Sequence, residues 1–112
     1  IIFIYSIMAT LSETVHRVEL GSLYMTSYVH DATFEHRPFH AFISKCISRH
    51  RSGDWGDCCP DDAALNDTSL RDGGRLFSVY HIPSGLFGLE SKVWIITEHD
   101  RSYTTVLFPS EY

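Results

Sequence analysis

Lys92-Val93-Trp94-Ile95-Ile96-Thr97-Glu98-His99-Asp100-Arg101-Ser102-Tyr103-Thr104-Thr105-Val106-Leu107-Phe108 holds two runs of β-branched and aromatic residues around a polar stretch. Such residues fit a pleated, half-buried surface, and Glu98 to Ser102 has the length of a hairpin loop, so two antiparallel strands are expected. Pro109 ends the second strand, because it has no N–H for a ladder. Upstream, Leu76-Phe77-Ser78-Val79-Tyr80-His81-Ile82 repeats the strand period, and Pro83 to Gly88 reads as a loop. Three consecutive strands make an antiparallel meander, which must bury one face against another layer.

That layer lies further back. Phe39, Phe42, Ile43, Cys46, Ile47 and His50 recur at helical spacing behind Pro38, which suits a first helical turn. Arg49, His50 and Arg51 place positive charge at the negative end of the helix dipole, and Gly53 is the stop. After the loop Gly53 to Cys59, Pro60-Asp61-Asp62 opens a second helix that stops at Gly73-Gly74. Its apolar face is thin, so a surface position is expected. Val15 to Phe34, rich in Val, Leu, Tyr and Thr and interrupted by Gly21, predicts one or two strands.

The expected fold class is therefore α+β in two layers: one or two N-terminal strands, two helices, then a three-stranded antiparallel meander. Residues 15–112 form a single domain in this reading, and residues 1–14 an apolar or flexible N-terminal extension. The opening run Ile1 to Met8 is far shorter than the ~20 apolar residues of a membrane span. Residues 1–7 read either as translated upstream sequence or as an added strand or flap. At 112 residues with 44% hydrophobic and 21% charged residues, a packed core without disulfides or metal is expected.

The net charge of −5 opposes a general affinity for phosphate backbones or anionic membranes. Six aspartates (Asp54, Asp57, Asp61, Asp62, Asp67, Asp72) face one base, Arg71, in a short interval, an excess that equals the net charge of the whole chain. Cys46, Cys58 and Cys59 match no zinc or disulfide framework, which favours a reducing, cytoplasmic location. His36 and His40 lack a third ligand, and Asp54, Asp57, Asp61 and Asp62 lack the alternation of a calcium loop. No metal, cofactor or catalytic residue is expected.

From Arg49 onward the wording becomes distinctive: Arg49-His50, Gly53-Asp54-Trp55-Gly56-Asp57, Asp62, Asn66, Gly74-Arg75, then Trp94-Ile95-Ile96-Thr97-Glu98, Asp100-Arg101-Ser102, Thr104-Thr105, Leu107, Pro109 and Glu111-Tyr112. These residues resemble a family of small bacterial proteins encoded on plasmids and integrative elements. Residues before Phe39 match that pattern poorly, and Cys58 and Cys59 lie outside it. The resemblance implies a mobile-element context, in which small acidic proteins act as inhibitors of host defence nucleases of the restriction or CRISPR type.

The candidate binding residues are Asp54, Trp55, Asp57, Asp61, Asp62, Asp67, Glu98, Asp100 and Arg101. Trp55 either anchors a partner between two carboxylates or plugs the junction of the helices while Asp54 or Asp57 caps the second. The aspartates either imitate a phosphate track or form a solvated face. Arg101 either contacts a partner's acid or phosphate or pairs with Glu98 or Asp72 beside a turn made by Asp100 and Ser102. The leading expectation is a non-catalytic protein binder or nuclease inhibitor that acts through the acidic helix and the Trp55 loop. No direct nucleic-acid contact is expected. The order of elements is also similar to toxin endoribonucleases of the RelE type, for which Arg75, Tyr80, His81, His99, Arg101 and Tyr103 would be the candidates. Arg75, Lys92 and Arg101 against Glu90, Glu98, Asp100 and Glu111 give the meander no positive face.

Overall fold

The structure, a computed structural model, describes residues 2–4, 16–83 and 90–112. The chain runs β1 (Ile2–Ile4), β2 (Ser22–Thr26), α1 (Ser27–Glu35), α2 (Arg37–Arg51), α3 (Pro60–Asp72), β3 (Leu76–His81), β4 (Lys92–Thr97) and β5 (Tyr103–Leu107), with a closing 3₁₀ turn at Pro109–Glu111. This is an α+β fold. The strands form one sheet in the order β1-β2-β5-β4-β3. β3, β4 and β5 are the antiparallel meander, β2 joins β5 in parallel, and β1 adds antiparallel to β2.

One expectation is corrected. The stretch read as one or two strands supplies β2 but then turns helical, so among the described residues three helices precede the meander rather than the two expected. Thr26 starts α1: its extended backbone and its hydroxyl, which accepts from the Val29 amide, make an N-cap. Val29, Ala32 and Thr33, at helical spacing, are buried. The Thr33 hydroxyl donates to the His30 carbonyl at 2.7 Å, so this β-branched residue is accommodated without an orphaned polar group. α1 cannot run on, because Pro38 has no amide and its ring collides with a helical carbonyl four residues back. The break falls at His36, whose backbone is extended, and α2 begins directly after it.

The helical stripe of α2 is buried as expected at Phe39, Ile43, Cys46, Ile47 and His50, with Phe42 packed alongside. It meets the inward residues of the sheet: Leu23, Met25, Leu76, Tyr80, Val93, Ile95 and Val106. Burial pushes the Cys46 thiol up to about 12, so it stays protonated and inert. Of α3, only Asn66 is buried. The loop expected from Pro83 to Gly88 lies outside the described residues beyond Pro83, as does the opening apolar run except for the backbone of Ile2–Ile4.

Candidate functional site

β3 is an edge strand, bonded to β4 on one side only. In an antiparallel ladder, alternate residues of such a strand turn their amides and carbonyls away from the neighbour. Here those residues are Phe77, Val79 and His81, and each is met. Asn66, 4% exposed, takes the Phe77 amide on its Oδ1 at 3.0 Å and donates its Nδ2 to the Phe77 carbonyl at 2.6 Å. The Val79 amide donates to the Trp55 carbonyl at 3.2 Å, and the Asp57 amide donates to the Val79 carbonyl at 2.6 Å. The His81 amide donates to Asp57 Oδ2 at 2.9 Å. The loop from Asp54 to Cys58 and one side chain of α3 thus seal the edge of the sheet.

Gly56 makes this possible. Its φ of 71° lies in the left-handed region, and a Cβ there would strike the Val79 carbonyl oxygen and the Tyr80 ring. Asp54 holds the other end of the loop: two of its oxygens meet Arg49 at 2.7 and 3.1 Å, and one also accepts from the Gly56 amide. The Arg49 hydrogen bond holds the Asp54 carboxyl below its ordinary value. Arg49 in turn lies 4.9 Å over the Tyr80 ring, whose hydroxyl donates to the Asp54 carbonyl. Asp57 is held low chiefly by the His81 amide.

Trp55 does not present its indole to solvent. At 6% exposure it packs edge-on to His50 with ring centres 5.8 Å apart, and its Nε1 donates to Asp67 Oδ1 at 2.9 Å. Of the two readings of this loop, the buried indole matches the plug between the helices, but neither Asp54 nor Asp57 caps α3, whose N-cap is Cys59 without a side-chain cap bond. Arg101 is likewise turned inward: its guanidinium donates to the carbonyls of Gly74, Glu98 and Ser69, capping the end of α3, and its φ is 61°. Asp100 accepts from the amide and hydroxyl of Ser102 and forms the turn, and that hydroxyl is the main reason its carboxyl is held low. Glu98 stands 3.7 Å from Arg75. Seven of the nine residues marked in the sequence are therefore bonded within the protein.

Asp61 and Asp62 are the other two. Both are exposed in the first turn of α3, where carboxylates suit the helix dipole, and neither carboxylate bonds to another described residue. One turn on, Leu65 is 65% exposed. Beside it opens a groove of about 310 Å³ lined by Asp62, Leu65, Asn66, Arg75 and Phe77. No pattern in the sequence marks this groove, since it joins α3 to a strand one element later. Leu65 was legible only as part of a thin apolar face.

Of the residues named for a ribonuclease reading, Tyr80 and His81 fall on opposite sides of β3: Tyr80 is buried on the core side, and His81 projects against Asp57. Arg75 donates to the Tyr112 hydroxyl at 2.8 Å, and Tyr103 packs against Tyr24. Among the described residues no group of three or more His, Cys, Asp or Glu side chains is placed to hold a metal ion, and no helix is long and apolar enough to cross a membrane. Comparison with protein-family models, curated proteins and solved structures finds no match.

Proposed function

We propose that the protein is a non-catalytic binding module that docks through the exposed flank of α3 onto a cationic surface of a larger protein. One observation carries this reading: two carboxylates without partners among the described residues, Asp61 and Asp62, share a helix with the exposed Leu65 beside an open groove. The other aspartates of the segment already have partners: Asp54 with Arg49, Asp57 with His81, Asp67 with Trp55 and Asp72 with Arg71. Complementary charge would speed encounter and make binding sensitive to salt. The Trp55 loop supports the docking face by fixing α3 against β3, and its indole does not belong to the contact.

Following the resemblance of the residues from Arg49 onward to proteins of plasmids and integrative elements, the partner class is a host defence nuclease of restriction or CRISPR type. Such enzymes need a basic groove for nucleic acid, and an acidic helix seated there would occlude it. The test is a cleavage assay with purified restriction and CRISPR nucleases of the native host, with and without the protein. Protection by the wild-type chain that is absent with Asp61→Lys/Asp62→Lys supports the reading. Equal protection by both, or none by either, refutes it.

A further inference from the structure

An exposed leucine alone is ordinary on a protein surface. Leu65 differs because of what stands opposite it. Phe77, half-buried on the outward face of β3, forms the far wall of the groove, and its ring is braced edge-on by Trp94 with centres 4.8 Å apart. Between the walls lies Asn66, whose Oδ1 and Nδ2 both hold the backbone of Phe77. The Asn66 amide is therefore already engaged, which leaves Leu65 and Phe77 as the apolar part of the lining.

The charge at the two rims is unequal. Arg75 is held back: its guanidinium is 3.7 Å from Glu98, donates to the Tyr112 hydroxyl and lies 5.4 Å over the Tyr112 ring. Asp62 forms no ion pair with a described residue, although Arg75 lines the same groove, and Asp61 stands next to it in the same helical turn. A ligand entering the groove thus meets the apolar side chains of Leu65 and Phe77, an unpaired Asp62, and an Arg75 already engaged by Glu98 and Tyr112.

About 310 Å³ is at the lower end of small-ligand sites, roughly 300 to 1,000 Å³, and admits one long side chain rather than a large ligand. The side chain must be apolar along its stem and cationic at its head. Lysine and arginine both qualify, but only a planar guanidinium can lie on an aromatic face and also pair with a carboxylate through two N–H groups. We infer that the groove between Leu65 and Phe77 receives an arginine side chain of the partner protein, its methylenes across Leu65 and its guanidinium on Asp62. This rests on the reading of α3 as a docking face and names the residue that the face recognises.

The test uses the full chain, labelled with ¹⁵N and ¹³C, titrated with the blocked tripeptide Gly-Arg-Gly and with its lysine, citrulline and norleucine counterparts. The resonances of Leu65, Phe77 and the Asn66 amide group are followed. The arginine peptide is expected to give saturable shifts at all three, tighter than lysine by about threefold or more, with citrulline and norleucine far weaker. Asp62→Asn and Leu65→Ser, both at exposed positions, should each weaken the arginine response by about fivefold or more while leaving the remaining spectrum in place. Equal binding of citrulline, or no saturable shift at Leu65 and Phe77, overturns the inference. Shifts confined to Asp61 and Asp62 and insensitive to Leu65→Ser also overturn it, yet leave the acidic docking face standing. Loss of nuclease protection on charge reversal tests that face separately.

Discussion

His50 Nε2 stands 2.8 Å from Thr97 Oγ1, and neither residue has any exposed surface. The contact belongs to a chain whose direction can be read from its far end. The Thr104 hydroxyl donates to the Leu20 carbonyl, so Thr97 must donate to Thr104 across their 2.7 Å contact. His50 Nε2 then carries the hydrogen that Thr97 accepts, and Nδ1 accepts from the Ser78 hydroxyl at 2.6 Å. A single neutral tautomer ties the end of α2 to β3, β4 and β5.

Protonating this imidazole is costly, because burial lowers its pKa from 6.5 to about 3. In the unfolded chain it titrates near 6.5, so between those values the unfolded state binds the extra proton and stability falls as pH falls. From pH 7.5 to 5.5 the loss from this group is on the order of 1 kcal/mol. Urea midpoints across that range should show the slope, and His50→Gln should flatten it. An unchanged slope in the variant would assign the effect to other groups.

Asn66 is the only buried residue of α3, and its amide fills both bonding groups of Phe77 at the sheet edge. Asn66→Leu should cost roughly 1 to 3 kcal/mol, since the Phe77 amide loses its partner while the Phe77 carbonyl keeps only the Cys58 thiol. Asn66→Asp keeps the acceptor for the Phe77 amide but sets a carboxylate against its carbonyl, so it should also destabilise. Hydrogen exchange should accelerate first at Phe77, Val79 and His81. Protection lost evenly over all strands would mean that the edge is not held locally.

Gly56 and Gly73 both have positive φ, yet only Gly56 approaches other backbone closely. Gly73→Ala should therefore cost about 1 kcal/mol from backbone strain alone. Gly56→Ala should cost about 3 kcal/mol or more, because Val79 and Tyr80 must also move. Thermal unfolding of the two variants decides the point, and equal losses would contradict the clamp described for the Asp54 to Cys58 loop.

Arg101 caps carbonyls at the end of α3 and in its own hairpin. Arg101→Ala should lower stability by roughly 1 to 3 kcal/mol, as expected for lost charge-assisted hydrogen bonds. The loss should appear in chemical denaturation without any ligand present. If stability were unchanged while partner binding disappeared, Arg101 would belong to a contact surface instead.

The strands of the meander and the stripe of α2 were readable because their side chains repeat with the period of the element. Lys92 to Thr97 and Phe39 to His50 state their buried faces directly. α1 was not readable: Tyr28, Val29, Thr33 and Phe34 favour strands locally, and the helix depends on the Thr26 cap and on burial of Val29 and Ala32. The acidic excess between Asp54 and Asp72 was plain, but its division was not. Asp54, Asp57 and Asp67 bond to Arg49, His81 and Trp55 through contacts that only the folded chain brings together. The groove was hidden for the same reason, since Leu65 and Phe77 line it from two elements that only the turn between α3 and β3 brings together.

The proposed docking uses Asp61, Asp62 and Leu65. It is tested most directly by measuring the affinity for a protected nuclease at several salt concentrations, with the wild-type chain, Asp61→Lys/Asp62→Lys and Leu65→Ser. Charge reversal should abolish binding at low salt, and Leu65→Ser should weaken it at every salt concentration without changing its salt dependence. Binding of wild-type strength by both variants, with their folds intact, would contradict the account.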